Sequence, residues 1–234
     1  MNSFERYIGM LKGEKVDFVP RTPILMQFAA EYIGSDYACF ASDFKSLVKS
    51  NEACAKYFEI DQLSCISDPY RETHGFGSRI EYMKDAPPHS THPLSNCNDM
   101  SQLLEPDPLK SERMLDRINA IKLYKAKFGD EYSVLGWIEG PAAGAATLRD
   151  VSNVDHMVNL AEVRKALPKR ITIAGNIDPV KGVLFGTPEF IREKINGDYQ
   201  LVGNPYMVNA GCEIPSGTPY ENLKALCDPI SYWP

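Results

Sequence analysis

The chain has 234 residues, 44% of them hydrophobic, and a formal net charge of −6 from 25 basic against 31 acidic side chains. That is enough apolar material for the core of one domain over residues 1–234. The acidic balance and the lack of any run of Lys or Arg exclude a nucleic-acid binder, which needs a basic face to neutralise phosphates.

Residues 4–11 read as a leading helix, and Pro20 and Pro23 straighten the chain into a short predicted strand over residues 24–28. Ser42 and Asp43 offer an N-cap to a helix over residues 44–58, where Phe44, Leu47, Val48, Ala55 and Phe58 recur at helical spacing. Residues 61–66 read as a buried strand, residues 79–82 as an edge strand, and the proline-bearing stretch 86–98, with His89 and His92, as a solvent-facing loop. A helix over residues 109–128 stops at Gly129, and a strand over residues 133–138 follows. The small-residue stretch 140–146 reads as tight helix packing. Beyond it come a helix at 160–167, a strand at 171–175, a helix at 188–195 capped by Thr187, a strand at 206–210 and a helix at 219–227 capped by Thr218. Pro188 and Pro219 are both expected at the first helical position. Short apolar strands alternating with helices predict parallel βα units, in a barrel or an open doubly wound sheet.

The six cysteines lie far apart without a CxxC pair, and Cys54 and Cys65 are expected as reduced, buried core residues. No stretch approaches 18 apolar residues, and polar Asn2 and Ser3 follow Met1, so neither a membrane span nor a signal peptide is expected and the cytosol is the expected location.

In βα folds chemistry gathers where strands end. Four such places carry polar groups: Ser67-Asp68-Pro69, Glu139-Gly140-Pro141, Gly175-Asn176-Ile177-Asp178-Pro179, and Gly211-Cys212-Glu213-Ile214-Pro215. Each also has a plain reading, since Asp-Pro and Gly-Asn are turn chemistry and Asp68 or Asp178 can cap a helix.

These strings, with Gly186-Thr187-Pro188-Glu189 and the run from Ser216 to Asn222, resemble the uroporphyrinogen decarboxylase superfamily, which joins the haem-pathway decarboxylase to zinc-dependent, corrinoid-linked methyltransferases. The resemblance implies an α/β fold, a TIM-type βα barrel. After Asn153 the chain jumps to a segment that relatives reach several dozen residues later. Against the roughly 250 residues of a complete barrel, about two βα units are therefore expected to be missing.

The resemblance also divides the chemistry. The decarboxylases open with an arginine-rich motif, whereas Arg21 stands nearly alone here, and Thr147 falls about where their tyrosine would. Only Asp68 resembles the aspartate with which they bind pyrrole N–H groups. The methyltransferase branch implies zinc, which holds an acceptor thiol as thiolate, and a corrinoid carried on a partner protein. Cys212 sits in the register of that branch's last zinc cysteine. The branch's His-x-Cys pair is absent, leaving His156, His74 or Glu213 as substitutes. Asp68, Asn176 and Asp178 are expected to line the pocket, and Trp137 either stacks on a planar cofactor or packs at the barrel's end. Three functions follow: methyl transfer between the corrinoid and a thiol, favoured; decarboxylation of a tetrapyrrole; and a non-catalytic remnant that covers its open strand edges by pairing with itself or a partner.

Overall fold

The computed structural model describes residues 1–94, 99–148, 160–166, 169 and 172–232. Helix α1 (Ser3–Lys12) begins with a capping box between Asn2 and Glu5 and ends at Gly13 in the left-handed conformation. Helices α2 (Met26–Tyr32), α3 (Tyr37–Ser42) and α4 (Phe44–Phe58) follow, the last capped by Asp43, which accepts from the Lys45 and Ser46 N–H groups. Strand β1 (Gln62–Ser64) leads to α5 (Arg71–Gly75), and strands β2 (Ile80–Glu81) and β3 (His89–Ser90) form a small antiparallel ribbon. Next come α6 (Glu112–Phe128), β4 (Ser133–Leu135), α7 (Pro141–Leu148) and α8 (Leu160–Ala166). The C-terminal part runs through β5 (Ile173–Ala174), a π-helical turn (Pro179–Leu184), α9 (Pro188–Val202), β6 (Tyr206–Met207) and α10 (Tyr220–Leu226).

The parallel strands lie side by side in an arc. β4 pairs with β1 and β5 with β6, both in parallel, and residues 20–22 join the two pairs. On one side Thr22 N–H donates to Val208 (2.9 Å) and Val208 N–H to Pro20 (3.0 Å); on the other Asp61 N–H donates to Arg21 (2.9 Å). The spatial order is thus β4, β1, residues 20–22, β6, β5, with helices outside it, the neighbour relations of a TIM-type βα barrel. Among the described residues no strand falls between β4 and β5 in the chain. Residues 149–159, which hold the junction after Asn153 and His156, lie outside the described residues.

Burial explains why these elements hold. The α4 face presenting Leu47, Val48, Cys54, Ala55 and Phe58 is buried against the strands, and the Tyr124 hydroxyl of α6 donates to the Ser64 carbonyl of β1 (3.1 Å). Cys54, Cys65 and Cys227 are buried free thiols, so the core-filler expectation holds for the first two. No helix among the described residues is long and apolar enough to cross a membrane.

Several boundaries differ from the sequence reading. The strand expected at 24–28 is displaced: pairing occurs at residues 20–22, because Pro23 has no N–H to continue a ladder, and α2 starts at Met26 with φ +36°. A short strand, β3, crosses the stretch expected to be loop. His92 is not turned to solvent; its Nδ1 lies 2.5 Å from the Thr147 carbonyl, tying this stretch to α7. Helix α9 continues to Val202 because Ile195, Tyr199 and Val202 prolong its buried stripe. Pro219 is the cap residue of α10 rather than its first helical residue, and Thr218 instead donates its hydroxyl to the Pro215 carbonyl (2.8 Å).

One buried carboxylate fastens the amino-terminal end of the arc. Asp61, fully buried, accepts from Arg6 Nη1 (2.6 Å), Arg21 Nε (3.0 Å), Arg21 N–H (2.9 Å) and Ser3 Oγ (2.8 Å). Its backbone carbonyl accepts from Ser133 Oγ (3.0 Å). Both guanidinium groups also lie over the Phe18 ring, at 3.6 and 4.5 Å from its centroid. Asp61→Ala leaves two buried guanidinium groups short of a partner, so a loss of about 3–5 kcal/mol is expected in urea denaturation. Arg6 also pairs with Asp17, through Nε (2.7 Å) and Nη2 (2.8 Å), and a loss below about 1 kcal/mol would show that Asp17 alone carries it.

Candidate active site at the strand exits

The carboxyl ends of the strands are built from four loops. After β1, Ser67 and Asp68 are both buried. Asp68 receives Arg113 in a fork, Nη1 to Oδ1 at 2.9 Å and Nη2 to Oδ2 at 2.8 Å, with the Ser67 hydroxyl at 2.5 Å and the Tyr70 N–H at 3.1 Å. Burial works against the charged carboxylate, but these donors and Arg71, whose Nη2 is 3.6 Å away, outweigh it and hold the group down to about 2. Asp68 is therefore an ionised carboxylate whose acceptor positions are already filled. It anchors α5 and α6 to β1 rather than standing free in a pocket.

After β4, Trp137 is 39% exposed, and its indole N–H donates to Glu139 Oε1 at 2.6 Å. The ring is thus not core at the barrel's end, because the strand stops at Leu135 and the next residues turn outward. Ile138 beside it is 80% exposed.

After β5, Gly175 has φ +28°, and a Cβ there would lie 1.7 Å from the Asn209 carbonyl oxygen. Only glycine allows this approach. Asn176 is half-buried. Asp178 is exposed and accepts from the Val180 and Lys181 N–H groups, both at 2.9 Å, so it starts the π-helical turn; the plain capping reading is the one the geometry gives. After β6 the chain is latched to that same loop, Gly211 N–H donating to the Ile177 carbonyl (2.8 Å) beside the Ile177–Ala210 bridge. Cys212 follows, exposed.

Glu213 is the titratable group set apart at this end. Its Oε2 is buried without a hydrogen-bond partner, and burial pushes its carboxyl up to about 7. Tyr37 links it to the β1 exit. The Tyr37 hydroxyl donates to the Ser67 carbonyl, and burial first, then the Glu213 and Asp68 carboxylates, raise it far above the usual phenol range.

The donors at this end do not make a zinc site among the described residues. Among the described residues no three His, Cys, Asp or Glu side chains gather as a metal group. His74 sits on α5 with Arg113, Glu112 and Arg71 as its charged neighbours, and His89 is exposed on β3. Cys212 and Glu213, adjacent in the chain, fall short of three ligands.

The larger surprise is cationic. Arg71, Arg113 and Arg117 are all buried around Asp68 and Asp116. The sequence held a signal for them: Arg71 stands three residues after Asp68, and Arg113 and Arg117 lie one helical turn apart on α6, inside an otherwise apolar stripe. Arg21, the one arginine singled out from sequence, is engaged with Asp61 at the opposite end of the strands.

The Uroporphyrinogen decarboxylase (URO-D) family model matches residues 2–151 and 145–233, in two stretches that meet just before Asn153. Among curated proteins, uroporphyrinogen decarboxylase of Microcystis aeruginosa (strain NIES-843 / IAM M-2473) is 43% identical over 76 residues, 32% of this chain and 21% of that protein. Uroporphyrinogen decarboxylase of Prochlorococcus marinus subsp. pastoris is 36% identical over 111 residues, 45% of this chain and 31% of that protein. The chain thus spans less than a third of the length of these relatives. Among solved structures, a methyltransferase from Methanosarcina mazei superposes with a TM-score of 0.80 at 17% identity, covering 97% of both chains, which shows the shared fold.

The burial of Glu213 sets a pH dependence. Its ordinary value is 4.5 and its folded value about 7, so between these the folded chain holds a proton that the unfolded chain has released, and stability falls as pH rises. Glu213→Gln is expected to melt like the parent at pH 4. At pH 8 it should be more stable, by on the order of 3 kcal/mol, in thermal unfolding followed by circular dichroism. Equal gains at both pH values would mean that the carboxylate is solvated.

Proposed function

The chain belongs to the uroporphyrinogen decarboxylase family, and from that premise we propose that it works in the methyl-transfer branch, moving a methyl group from a corrinoid on a partner protein to a small thiol. The observation that carries this reading is the closed fork between Arg113 and Asp68. A decarboxylase of tetrapyrroles would need that carboxylate free for pyrrole N–H groups and several cations free for carboxylates. Here Asp68 is saturated and Arg21 is bound to Asp61. Methyl transfer asks for neither. The methyltransferase name of the structural neighbour points the same way.

In this reading the acceptor sulfur attacks the methyl carbon as the carbon–metal bond of the donor breaks, and the thiol proton passes to a base. Glu213, with its carboxyl near neutrality, is matched to that task, because a base works best when its value lies near the working pH. A zinc ion, where bound, would favour the thiolate, with Cys212 as its ligand. The proton transfer is assigned to Glu213 because its Oε2 is buried without a hydrogen-bond partner beside Cys212 in the chain. The exposed Trp137 offers a flat apolar face to a planar macrocycle, and Asn176 and Asp178 lie at the exit of β5, at the same carboxyl end of the strands. A cytoplasmic site of action belongs to the same proposal.

A second reading, decarboxylation of uroporphyrinogen, is favoured by the names of the curated relatives. It requires Asp68 to leave Arg113.

The test is turnover of methylcobalamin with a small thiol, followed by the corrinoid's absorbance, alongside zinc analysis of the purified chain. Activity lost in Cys212→Ala and reduced about 100-fold or more in Glu213→Gln is expected. Consumption of uroporphyrinogen without any methyl transfer would establish the second reading instead.

A further inference from the structure

Behind the Asp68 fork, on the helical layer, lies a cavity of about 220 Å³ whose lining includes Ser42, Arg71, Glu112, Arg113, Asp116 and Asn119. At about 30 Å³ for each water, it has room for several waters or a small anion with its hydration. Two buried guanidinium groups, of Arg71 and Arg113, line it beside the carboxylates of Glu112 and Asp116. Arg117, also buried but outside that lining, joins them around Asp68 and Asp116. The carboxylate nearest the strand is consumed by Arg113. Asp116 Oδ2 is 2.7 Å from Arg117 Nη2 but 3.8 Å from Arg71 Nη1.

The remaining partners are neutral. Arg71 Nη1 donates to the Arg113 carbonyl (2.9 Å), and Nη2 of Arg71 and of Arg117 both donate to the Ala41 carbonyl (3.2 Å each). Arg71 Nε, Arg113 Nε, Arg117 Nε and Arg117 Nη1 are buried with no acceptor. Asp116 Oδ2 is the one buried oxygen of this group likewise without a hydrogen-bond partner. Counting the three arginines against Asp68 and Asp116, with Glu112 turned to solvent, one positive charge and more N–H donors than acceptors are left in a desolvated place, a costly arrangement for a folded protein. Burial and the neighbouring Arg117 push the Arg71 guanidinium down to about 9, the same excess seen from the side of the proton. The first turn of α6, a 17-residue helix, contributes Glu112 and Arg113 to the lining, and the positive end of its dipole adds to the field. Glu112, the one lining carboxylate not paired with these arginines, is exposed to solvent.

We propose that this cavity binds a small oxyanion, a carboxylate or a phosphate, through Arg71 and Arg113. Bidentate recognition of either group is what guanidinium groups do best. The site contains neither Cys212 nor Glu213 and does not depend on methyl transfer being the reaction.

The test uses the full chain at fixed ionic strength, titrated calorimetrically with inorganic phosphate in one arm and acetate in the other, chloride being the balancing salt. Saturable binding of at least one of them, at one site per chain, is expected, with thermal stabilisation that grows with its concentration. Because Arg71→Met can fail to fold, the decisive variants are Ser42→Asp, at an exposed position, and Asn119→Asp. Each places a negative charge on the cavity wall without removing a guanidinium group, and each is expected to weaken binding at least tenfold. No saturable binding in either arm, or binding unchanged in both variants, overturns the proposal.

Discussion

A carboxylate with no solvent exposure, Asp61, is the constraint on which the strand arc rests. Its two oxygens hold the leading helix through Arg6 and Ser3 and the residue 20–22 segment through Arg21, while its own backbone pairs with that segment and with β4. Four chain segments, its own among them, thus converge on one residue. Such a group is costly to bury alone and tolerable only when every lone pair has a donor, which makes the arrangement all-or-none. The register of the first two strands follows from it.

The same device recurs at the other end of β1 with a different consequence. Asp68 is as thoroughly satisfied as Asp61, yet it lies where βα proteins keep their chemistry, and its partners belong to the helices outside the strands. The β1 exit thus presents no free carboxylate, while at the β6 exit Cys212 is exposed and Glu213 lacks a counter-charge. Two carboxylates at one end of a fold are pushed in opposite directions by their surroundings: one by guanidinium groups, the other by burial alone.

Much of this was legible in the chain. Helical spacing places α4 at its observed bounds, Gly129 places the end of α6 and Thr187 the start of α9. What failed were features decided by partners distant in sequence. The first strand was displaced because the apolar run after Pro23 looks like a strand until one knows that Thr22 pairs with Val208, 186 residues away. Asp68 and Asp178 could be named as strand-exit acids but not told apart, since one is forked by an arginine on α6 and the other caps the turn that follows it. The arginines themselves were hidden by an apolar stripe whose period they share. Cys212 and Trp137 were found at exits by position alone, and position does not state what stands opposite them.

The close passage of Gly175 beneath the Asn209 carbonyl and the latch from Gly211 to Ile177 weld two exit loops into a single rigid piece. Asn176, Asp178 and Cys212 therefore share one frame, and a disturbance at any of them is transmitted to the others as a tilt of the whole piece rather than as a local adjustment.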